Sequence, residues 1–201
     1  MRPHPSPGIG LEQYTIPADI AADILFLAGV VYRDIVGKFV IDLGTGTGRL
    51  AIGAVLMGAR RAAGVDIDPV AINVAQENSQ LAKVNVDWIV GELDAIRGRF
   101  DTVLMNPPFG TKRKHADKIF LRKAIGIGRV VYSIHKSATR EHILGYLERC
   151  GCKVRAIHEY TLEIPRMFEH HRKRRHPVSV DCYRIEAKGE GHGSSVRQQR
   201  L

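Results

Sequence analysis

The sequence lacks the features that mark secreted, metal-binding and membrane-spanning proteins. Its 201 residues include three cysteines, Cys150, Cys152 and Cys182, whose spacing forms neither a disulfide framework nor a zinc motif. No apolar run approaches the roughly 20 residues that a membrane-spanning helix needs. The first residues lack the apolar core of a secretory signal, so we expect a cytoplasmic protein without membrane association or bound metal.

Acidic residues are also in the minority. The chain has 30 lysines and arginines against 21 aspartates and glutamates, which gives a formal net charge of +9. The basic residues are concentrated at 112–114, 118–123 and 172–175. This distribution favours a nucleic-acid partner over a basic surface that binds nothing.

Strands and helices are predicted to alternate along the first three quarters of the chain. Apolar patterns predict strands at 38–43, 61–66, 86–93, 100–105 and 129–135, and helices at 17–32, 49–58, 69–82, 116–126 and 138–149. This alternation is typical of an α/β fold whose mostly parallel sheet is covered by helices on both faces.

The pattern changes after the last of these helices. Two strands, 152–164 and 177–187, follow each other without a helix and are predicted to pair antiparallel. The polar tail 188–201 is predicted to be disordered. We therefore expect a single domain at 1–187.

The segment DLGTGTGRL, residues 42–50, follows a strand and opens a helix, which is the context of a cofactor-binding loop. A dinucleotide fingerprint would need glycine at position 49, and a P-loop would need a Gly-Lys-Ser/Thr sequence, which is absent. The remaining pattern, Asp-x-Gly-x-Gly-x-Gly, resembles class I S-adenosylmethionine (SAM)-dependent methyltransferases. That resemblance implies that Asp42 anchors the methionine end of SAM.

Acidic residues also follow the next two predicted strands. Asp66 can accept hydrogen bonds from both ribose hydroxyls, and the neighbouring Ile67 could pack against adenine. Glu92 would face the adenine amino group, and Leu93 would contribute a backbone N–H. Each acid alone could be a solvated strand end, but their succession after the glycine loop favours a SAM site.

The segment Asn106-Pro107-Pro108-Phe109 follows the fourth predicted strand. It matches the (Asp/Asn/Ser)-Pro-Pro-aromatic signature of methyltransferases that act on planar amino nitrogens. Hydrogen bonds from such an NH₂ group to the Asn106 side chain and the Pro107 carbonyl would make the nitrogen more nucleophilic. Phe109 would stack on the target base. The alternative is an ordinary proline-rich turn.

A closer resemblance rests on five segments: LEQYTIP, DLGTGTGRL, GVDID, DTVLMNPPFGTK and VYSIHKSATREH. Together they resemble the methyltransferase-like protein five family, adenine-N6 methyltransferases of small-subunit ribosomal RNA, across about residues 11–185. The resemblance implies a seven-stranded sheet and an N-terminal stretch, residues 1–16, that folds over the cofactor, with Gln13, Thr15 and Ile16 as its contacts. It implies SAM contacts by Gly44, Thr47, Arg49, Asp66, Glu92 and Leu93, and a catalytic motif at Asn106, Pro107, Pro108 and Phe109. Thr45 and Gly46 of the loop and Asn106 of the motif are further expected cofactor contacts. Animal members also need a small zinc-binding activator subunit.

The sequence departs from the animal members at four of these positions. Thr45 and Thr47 replace cysteines, Glu92 replaces an aspartate, and Ile16 replaces a threonine. Backbone contacts by the two threonines are expected to survive, whereas the hydroxyl that a threonine would offer at position 16 is missing.

Three basic segments are candidates for RNA contact. Lys112, Arg113 and Lys114 follow the catalytic motif directly. His135, Lys136 and Arg140 lie at a predicted strand end and helix start, where either a phosphate-binding corner or a capped, solvated helix fits. Arg172, Lys173, Arg174 and Arg175 form a dense cationic loop, for which an anionic partner would relieve mutual repulsion.

These features predict a SAM-dependent RNA adenine-N6 methyltransferase that acts on small-subunit ribosomal RNA. A protein glutamine-N5 methyltransferase is the first alternative, because a carboxamide NH₂ poses the same electronic problem. A non-catalytic RNA-binding or assembly module with a vestigial SAM pocket is the second, and a DNA adenine methyltransferase is the third. The net charge of +9 argues against the glutamine methyltransferase, and the intact motifs argue against the non-catalytic module. The lack of a target-recognition domain argues against the DNA methyltransferase.

Overall fold

In the computed structural model, which describes residues 1–8, 15–109, 116–165 and 175–188, seven strands form one sheet in the order β3-β2-β1-β4-β5-β7-β6. The strands are β1 Phe39–Leu43, β2 Arg61–Asp66, β3 Asp87–Val90, β4 Phe100–Met105, β5 Gly128–Lys136, β6 Lys153–Pro165 and β7 Arg175–Glu186. The first five strands are parallel, and β7 runs antiparallel to both β5 and β6. The predicted α/β fold with a C-terminal antiparallel hairpin is confirmed.

The described residues form five α-helices, of which the first precedes β1 and the other four connect strands. They are α1 Ala18–Phe26, α2 Arg49–Leu56, α3 Pro69–Leu81, α4 Ala116–Ile127 and α5 Arg140–Arg149. None of the helices within the described residues is long and apolar enough to cross a membrane.

Two predicted boundaries are wrong. The helix expected at 17–32 changes after Phe26 into a π-helical turn, Leu27–Val31, in which Gly29 lies close against the Met57 side chain. The strand expected at 86–93 ends at Val90, opposite Asp66, the last residue of β2. The next residue, Gly91, still donates its N–H to the Asp66 carbonyl at 2.9 Å. Glu92 and Leu93 therefore lie in the turn that follows β3.

Apolar residues cover both faces of the sheet. Successive β1 residues point to opposite faces, so Val40 belongs to one core cluster and Ile41 to the other. Ile24 of α1 packs in the first cluster, and Leu121 of α4 packs in the second. The sheet is thus a layer between helices. The loops at the ends of its strands are not part of this packing and can carry a site.

The register of the parallel strands brings their carboxyl ends to one edge. Leu43 of β1 is paired with Val65 of β2 on one side and with Met105 of β4 on the other. The residues that follow, Gly44 and Asn106, therefore leave neighbouring strands side by side. The strand order also reverses between β1 and β4, which is the position where ligands bind to open α/β sheets.

Candidate active site

The glycine loop after β1 is held by the backbone of β2. The N–H groups of Gly44 and Thr45 both donate to the Val65 carbonyl at 2.9 Å. Gly46 has a positive φ of 54°, and no atom lies within 4 Å of where its Cβ would be. The backbone at Gly46 is therefore open to a ligand, as the sequence pattern predicted.

Asp42 is buried beneath this loop and ties it to α2. Its Oδ2 accepts hydrogen bonds from the Thr45 hydroxyl at 2.6 Å and from the Ala51 N–H at 3.2 Å. The side chain is 2% exposed, and this burial raises the pKa of Asp42 to about 7. Its carboxyl group therefore takes up a proton near neutral pH when no cation faces it.

We expect SAM binding to be pH-dependent through Asp42. A cationic ligand favours the carboxylate, so binding lowers the pKa of Asp42 and releases a proton when the pH is below about 7. SAM affinity should then fall up to about tenfold per pH unit as the pH decreases from 7 towards 5.5. Calorimetry in two buffers of different ionisation enthalpy measures the proton release, and Asp42→Asn should abolish it. Equal proton release in this variant would exclude Asp42 as the source.

Asp66, the last residue of β2, organises the same loop. Its Oδ2 accepts from the Gly46 N–H at 2.8 Å, and its Oδ1 accepts from the Asp68 N–H at 3.0 Å. Burial raises the pKa of Asp66, although these two N–H groups oppose the shift. The carboxylate thus lies beside the open face of Gly46, where a ribose would be within reach.

Trp88 of β3 is a part of the site that sequence reasoning missed. A Cβ at Gly48, where φ is 85°, would lie 2.5 Å from its indole ring, and a Cβ at Gly64 would lie 2.4 Å from it. The indole therefore packs directly on the glycine loop and on β2, with its N–H donating to Ser79 at 3.2 Å. Trp88 is the only tryptophan in the chain, and that rarity was the available signal.

The predicted adenine contacts lie beyond β2 and β3. Ile67 is 48% exposed directly after Asp66, so an apolar side chain is available to a base. Glu92 is exposed and precedes the short 3₁₀ turn Leu93–Ala95. These residues follow neighbouring strand ends, and their contacts with adenine remain a prediction.

The predicted catalytic motif, Asn106 to Phe109, follows β4 at the same end of the sheet. Pro107 is buried, whereas Asn106, Pro108 and Phe109 are partly exposed. The Phe109 ring packs against the first core cluster, and the Lys136 ammonium lies 5.2 Å from the ring centroid. Lys136, predicted from sequence as a phosphate contact, is thus brought to the catalytic motif as a cation over its aromatic ring.

The stretch predicted to fold over the cofactor is linked to the start of α2 by one side chain. Arg49, the first residue of α2, donates to the Ile16 carbonyl, while the Ile16 side chain is buried in the core. Burial lowers the pKa of Arg49. Thr15 is exposed, and Gln13 lies outside the described residues.

The remaining predicted RNA contacts have different outcomes. His135 is 2% exposed, lies 2.6 Å from the Ser133 hydroxyl through Nε2, and has its pKa lowered to about 4 by burial. It is neutral and inaccessible, so its predicted phosphate contact is wrong. Arg140 is partly exposed, but its guanidinium already binds Asp181 at 2.7 and 2.8 Å and Glu159 at 2.6 Å.

Other predicted contacts cannot be placed. Lys112, Arg113, Lys114, Arg172, Lys173 and Arg174 lie outside the described residues, and only the backbone of Arg175 is described, at the start of β7. In the described ranges, no group of three or more His, Cys, Asp or Glu side chains is arranged to hold a metal ion.

Full-length similarity links the chain to archaeal and animal proteins. An uncharacterized protein of Methanocaldococcus jannaschii is 41% identical, covering 94% of this chain and 90% of the relative. The rRNA N6-adenosine methyltransferase METTL5 of Danio rerio is 36% identical, covering 89% and 90%. The crystal structure of a candidate RNA methyltransferase from Pyrococcus horikoshii superposes with a TM-score of 0.86 at 40% identity, covering 93% and 92%.

Two partial matches concern methyltransferases of proteins. The family model for ribosomal protein L11 methyltransferase (PrmA) matches residues 29–107. A candidate protein N5-glutamine methyltransferase of Methanocaldococcus jannaschii is 38% identical over 51% of this chain. The METTL5 proteins of Danio rerio and Drosophila melanogaster are each 36% identical to this chain, with coverage of about nine-tenths of both chains. The chain therefore belongs to the METTL5 family of rRNA N6-adenosine methyltransferases.

Proposed function

We propose that this protein transfers the methyl group of SAM to the N6 nitrogen of an adenosine in small-subunit ribosomal RNA. The observation that carries the proposal is the β1–β4 register, which sets Gly44 of the cofactor loop beside Asn106 of the catalytic motif. A donor bound on the loop and an amine bound at Asn106 would then be neighbours. Membership of the METTL5 family supports adenosine in rRNA as the acceptor.

The residues of the motif would activate a poor nucleophile. The lone pair of an exocyclic adenine amine is delocalised into the ring. When both N–H groups donate, one to Asn106 Oδ1 and one to the Pro107 carbonyl, the lone pair localises on nitrogen. The two prolines hold these acceptors before the reaction, so little reorganisation is required.

SAM, when bound, supplies a methyl group already activated on a sulfonium. The N–C bond forms as the S–C bond breaks, and the nitrogen then loses a proton to solvent. The chain's contribution is alignment of the amine with the methyl group, which the adjacent strand ends provide. No metal ion is needed for this displacement.

Phe109 is proposed to hold the target base outside its stack. Aromatic side chains bind unpaired bases by stacking, which is worth about 1–3 kcal/mol per base. Lys136 over the ring would add a positive charge close to the backbone of the extruded nucleotide. These two residues would bind the substrate, whereas Asn106 would act on its reacting nitrogen.

The β6–β7 ribbon supports RNA over a protein glutamine as the substrate. The pairing of β7 with β5 extends only to Val180, which lies opposite Lys136. The pairing of β7 with β6 extends five residues further, to Arg175. The ribbon therefore projects past the carboxyl end of β5, on the edge that carries the catalytic motif. Residues 166–174 connect the strands at this end, and they include Arg172, Lys173 and Arg174.

We expect this cationic connection to bind RNA phosphates. Replacing Arg172, Lys173, Arg174 and Arg175 with glutamine should weaken RNA binding and flatten its salt dependence, by about 0.7–0.9 in slope for each phosphate that is no longer neutralised. SAM affinity should not change. Fluorescence anisotropy of labelled RNA across a salt series measures the slope.

A charge-matched variant separates location from net charge. Arg129, Arg149, Lys153 and Lys188 are exposed, and their replacement by glutamine removes the same charge from other parts of the surface. This variant should retain most of the salt slope. Equal slopes in the two variants would show that only net charge matters and would contradict a phosphate contact by the connection.

A zinc-binding activator subunit, as the family resemblance implies, is proposed to bind at β3. This strand is at the edge of the sheet, and Ile89 and Val90 are 36% and 53% exposed. Unpaired backbone groups beside apolar side chains suit the addition of a partner strand.

The small-subunit assignment is tested by deleting the gene and separating the two ribosomal subunits. Mass spectrometry of nucleosides should show that N6-methyladenosine disappears from the small-subunit RNA and returns with the wild-type gene, but not with Asn106→Ala. Loss confined to the large subunit would overturn the assignment.

A further inference from the structure

The first residues of the chain lie along α3 and are bound to it through both backbone and side-chain groups. The Arg2 N–H donates to Asn78 Oδ1 at 2.6 Å, and the Arg2 carbonyl accepts from Asn78 Nδ2 at 3.1 Å. At the other end of α3, His4 Nε2 lies 3.0 Å from Asp68 Oδ2. Residues 1–6, the N-terminal segment, are therefore attached at two points.

Asn78 joins this segment to the glycine loop. Its Nδ2 also donates to the Thr47 carbonyl at 3.0 Å, so one side chain binds both backbones. Asn78 is 0% exposed. Water therefore cannot replace a hydrogen bond that is broken here, and the full cost of an unpaired buried group would be incurred.

A second connection runs through Asp68. Its side chain caps α3 by accepting from the Val70 N–H at 2.8 Å, and its own N–H donates to Asp66 Oδ1 at 3.0 Å. The His4 side chain, which is 8% exposed, contacts this same carboxylate. The N-terminal segment thus reaches both the glycine loop and the ribose-binding acid, each through one intervening residue.

We propose that residues 1–6 are part of the cofactor site and that Asn78 is the positioning residue through which they hold the glycine loop. Gly44, Gly46 and Gly48 all have positive φ, so the loop has wide backbone freedom when nothing restrains it. Holding it in place before binding lowers the ordering cost that SAM binding must meet. Because coupling is reciprocal, bound SAM should stabilise the docking of the segment on α3 by the same factor by which the docked segment raises SAM affinity.

The test isolates one backbone hydrogen. Arg2→Pro removes the backbone N–H that donates to Asn78 Oδ1, and it also removes the surface ion pair between Arg2 and Glu77. Arg2→Ala removes the ion pair but keeps the N–H, so it is the matched control. Asn78→Ala breaks both links, and the double variant Arg2→Pro/Asn78→Ala completes a cycle.

We expect Arg2→Pro to weaken SAM binding about 3- to 10-fold relative to Arg2→Ala, and Asn78→Ala to weaken it about 5- to 20-fold. The double variant should bind no more weakly than Asn78→Ala. The KM for SAM should rise while kcat at saturating SAM is unchanged, which a general loss of stability would not produce. In the wild type, SAM should slow hydrogen exchange in residues 1–8.

The inference rests on the assignment of SAM to the glycine loop. The experiment distinguishes a failure of that assignment from a failure of the role proposed for residues 1–6. A wild-type protein that does not bind SAM overturns both. Normal SAM binding by the wild type, with equal affinities in Arg2→Pro and Arg2→Ala, overturns only the role of the N-terminal segment. A lower melting temperature in Asn78→Ala with unchanged SAM affinity would show that Asn78 is merely structural.

Discussion

Asn106→Ala should fold and keep most of its SAM affinity but lose about 10²–10³-fold in kcat. The side-chain oxygen interacts with charge that develops on the nitrogen as the methyl group is transferred. Its removal therefore destabilises the transition state more than it weakens the binding of SAM or RNA. The assay is transfer of labelled methyl from SAM to unmethylated rRNA at saturating SAM.

Two variants control for the chemistry of this position. Asn106→Asp and Asn106→Ser keep an oxygen acceptor that the motif signature allows, so they should retain more activity than Asn106→Ala. Calorimetry with SAM shows whether the cofactor site is intact in each. Near-wild-type turnover by Asn106→Ala would exclude the proposed activation of the amine.

Asp66→Ala should weaken SAM binding by roughly 1.5–3 kcal/mol, the worth of a hydrogen bond to a charged group. At 1.4 kcal/mol per factor of ten, this is a loss of about 10- to 150-fold in affinity. Two effects combine in the variant. The ribose loses its acceptor, and the Gly46 N–H loses the carboxylate that holds the loop at 2.8 Å.

The neighbouring strand offers a matched control for Asp66. Asp87 opens β3, is exposed, and forms an ion pair with Arg61 at 2.6 Å near the amino ends of the strands. Asp87→Ala removes the same charge without touching the loop, so SAM affinity should remain at the wild-type level. Calorimetry on both variants decides the matter, and unchanged binding by Asp66→Ala would remove Asp66 from the site.

Local signals predicted where most of the candidate site residues lie in the fold. A glycine loop between a strand and a helix, an acid after the next strand and prolines after the fourth strand each fix the backbone where they occur. Parallel pairing then brings Gly44, Asp66 and Asn106 to the same edge, so the site follows from strand order.

What the sequence did not predict depends on contacts between distant segments. The sequence predicts a phosphate contact for His135 next to Lys136, but alternation along β5 turns His135 into the core, where burial keeps it neutral. The packing of Trp88 on Gly48 and the backbone link from Arg2 to Asn78 join segments that are 40 and 76 residues apart. No periodicity or motif records such contacts.

Methyl transfer from labelled SAM to unmethylated rRNA, followed by digestion and mass spectrometry of nucleosides, tests the central claim most directly. The purified protein should place the label on N6-methyladenosine in RNA, and Asn106→Ala should place almost none there. Label on a protein glutamine instead, or equal labelling of RNA by the wild type and Asn106→Ala, would contradict the account.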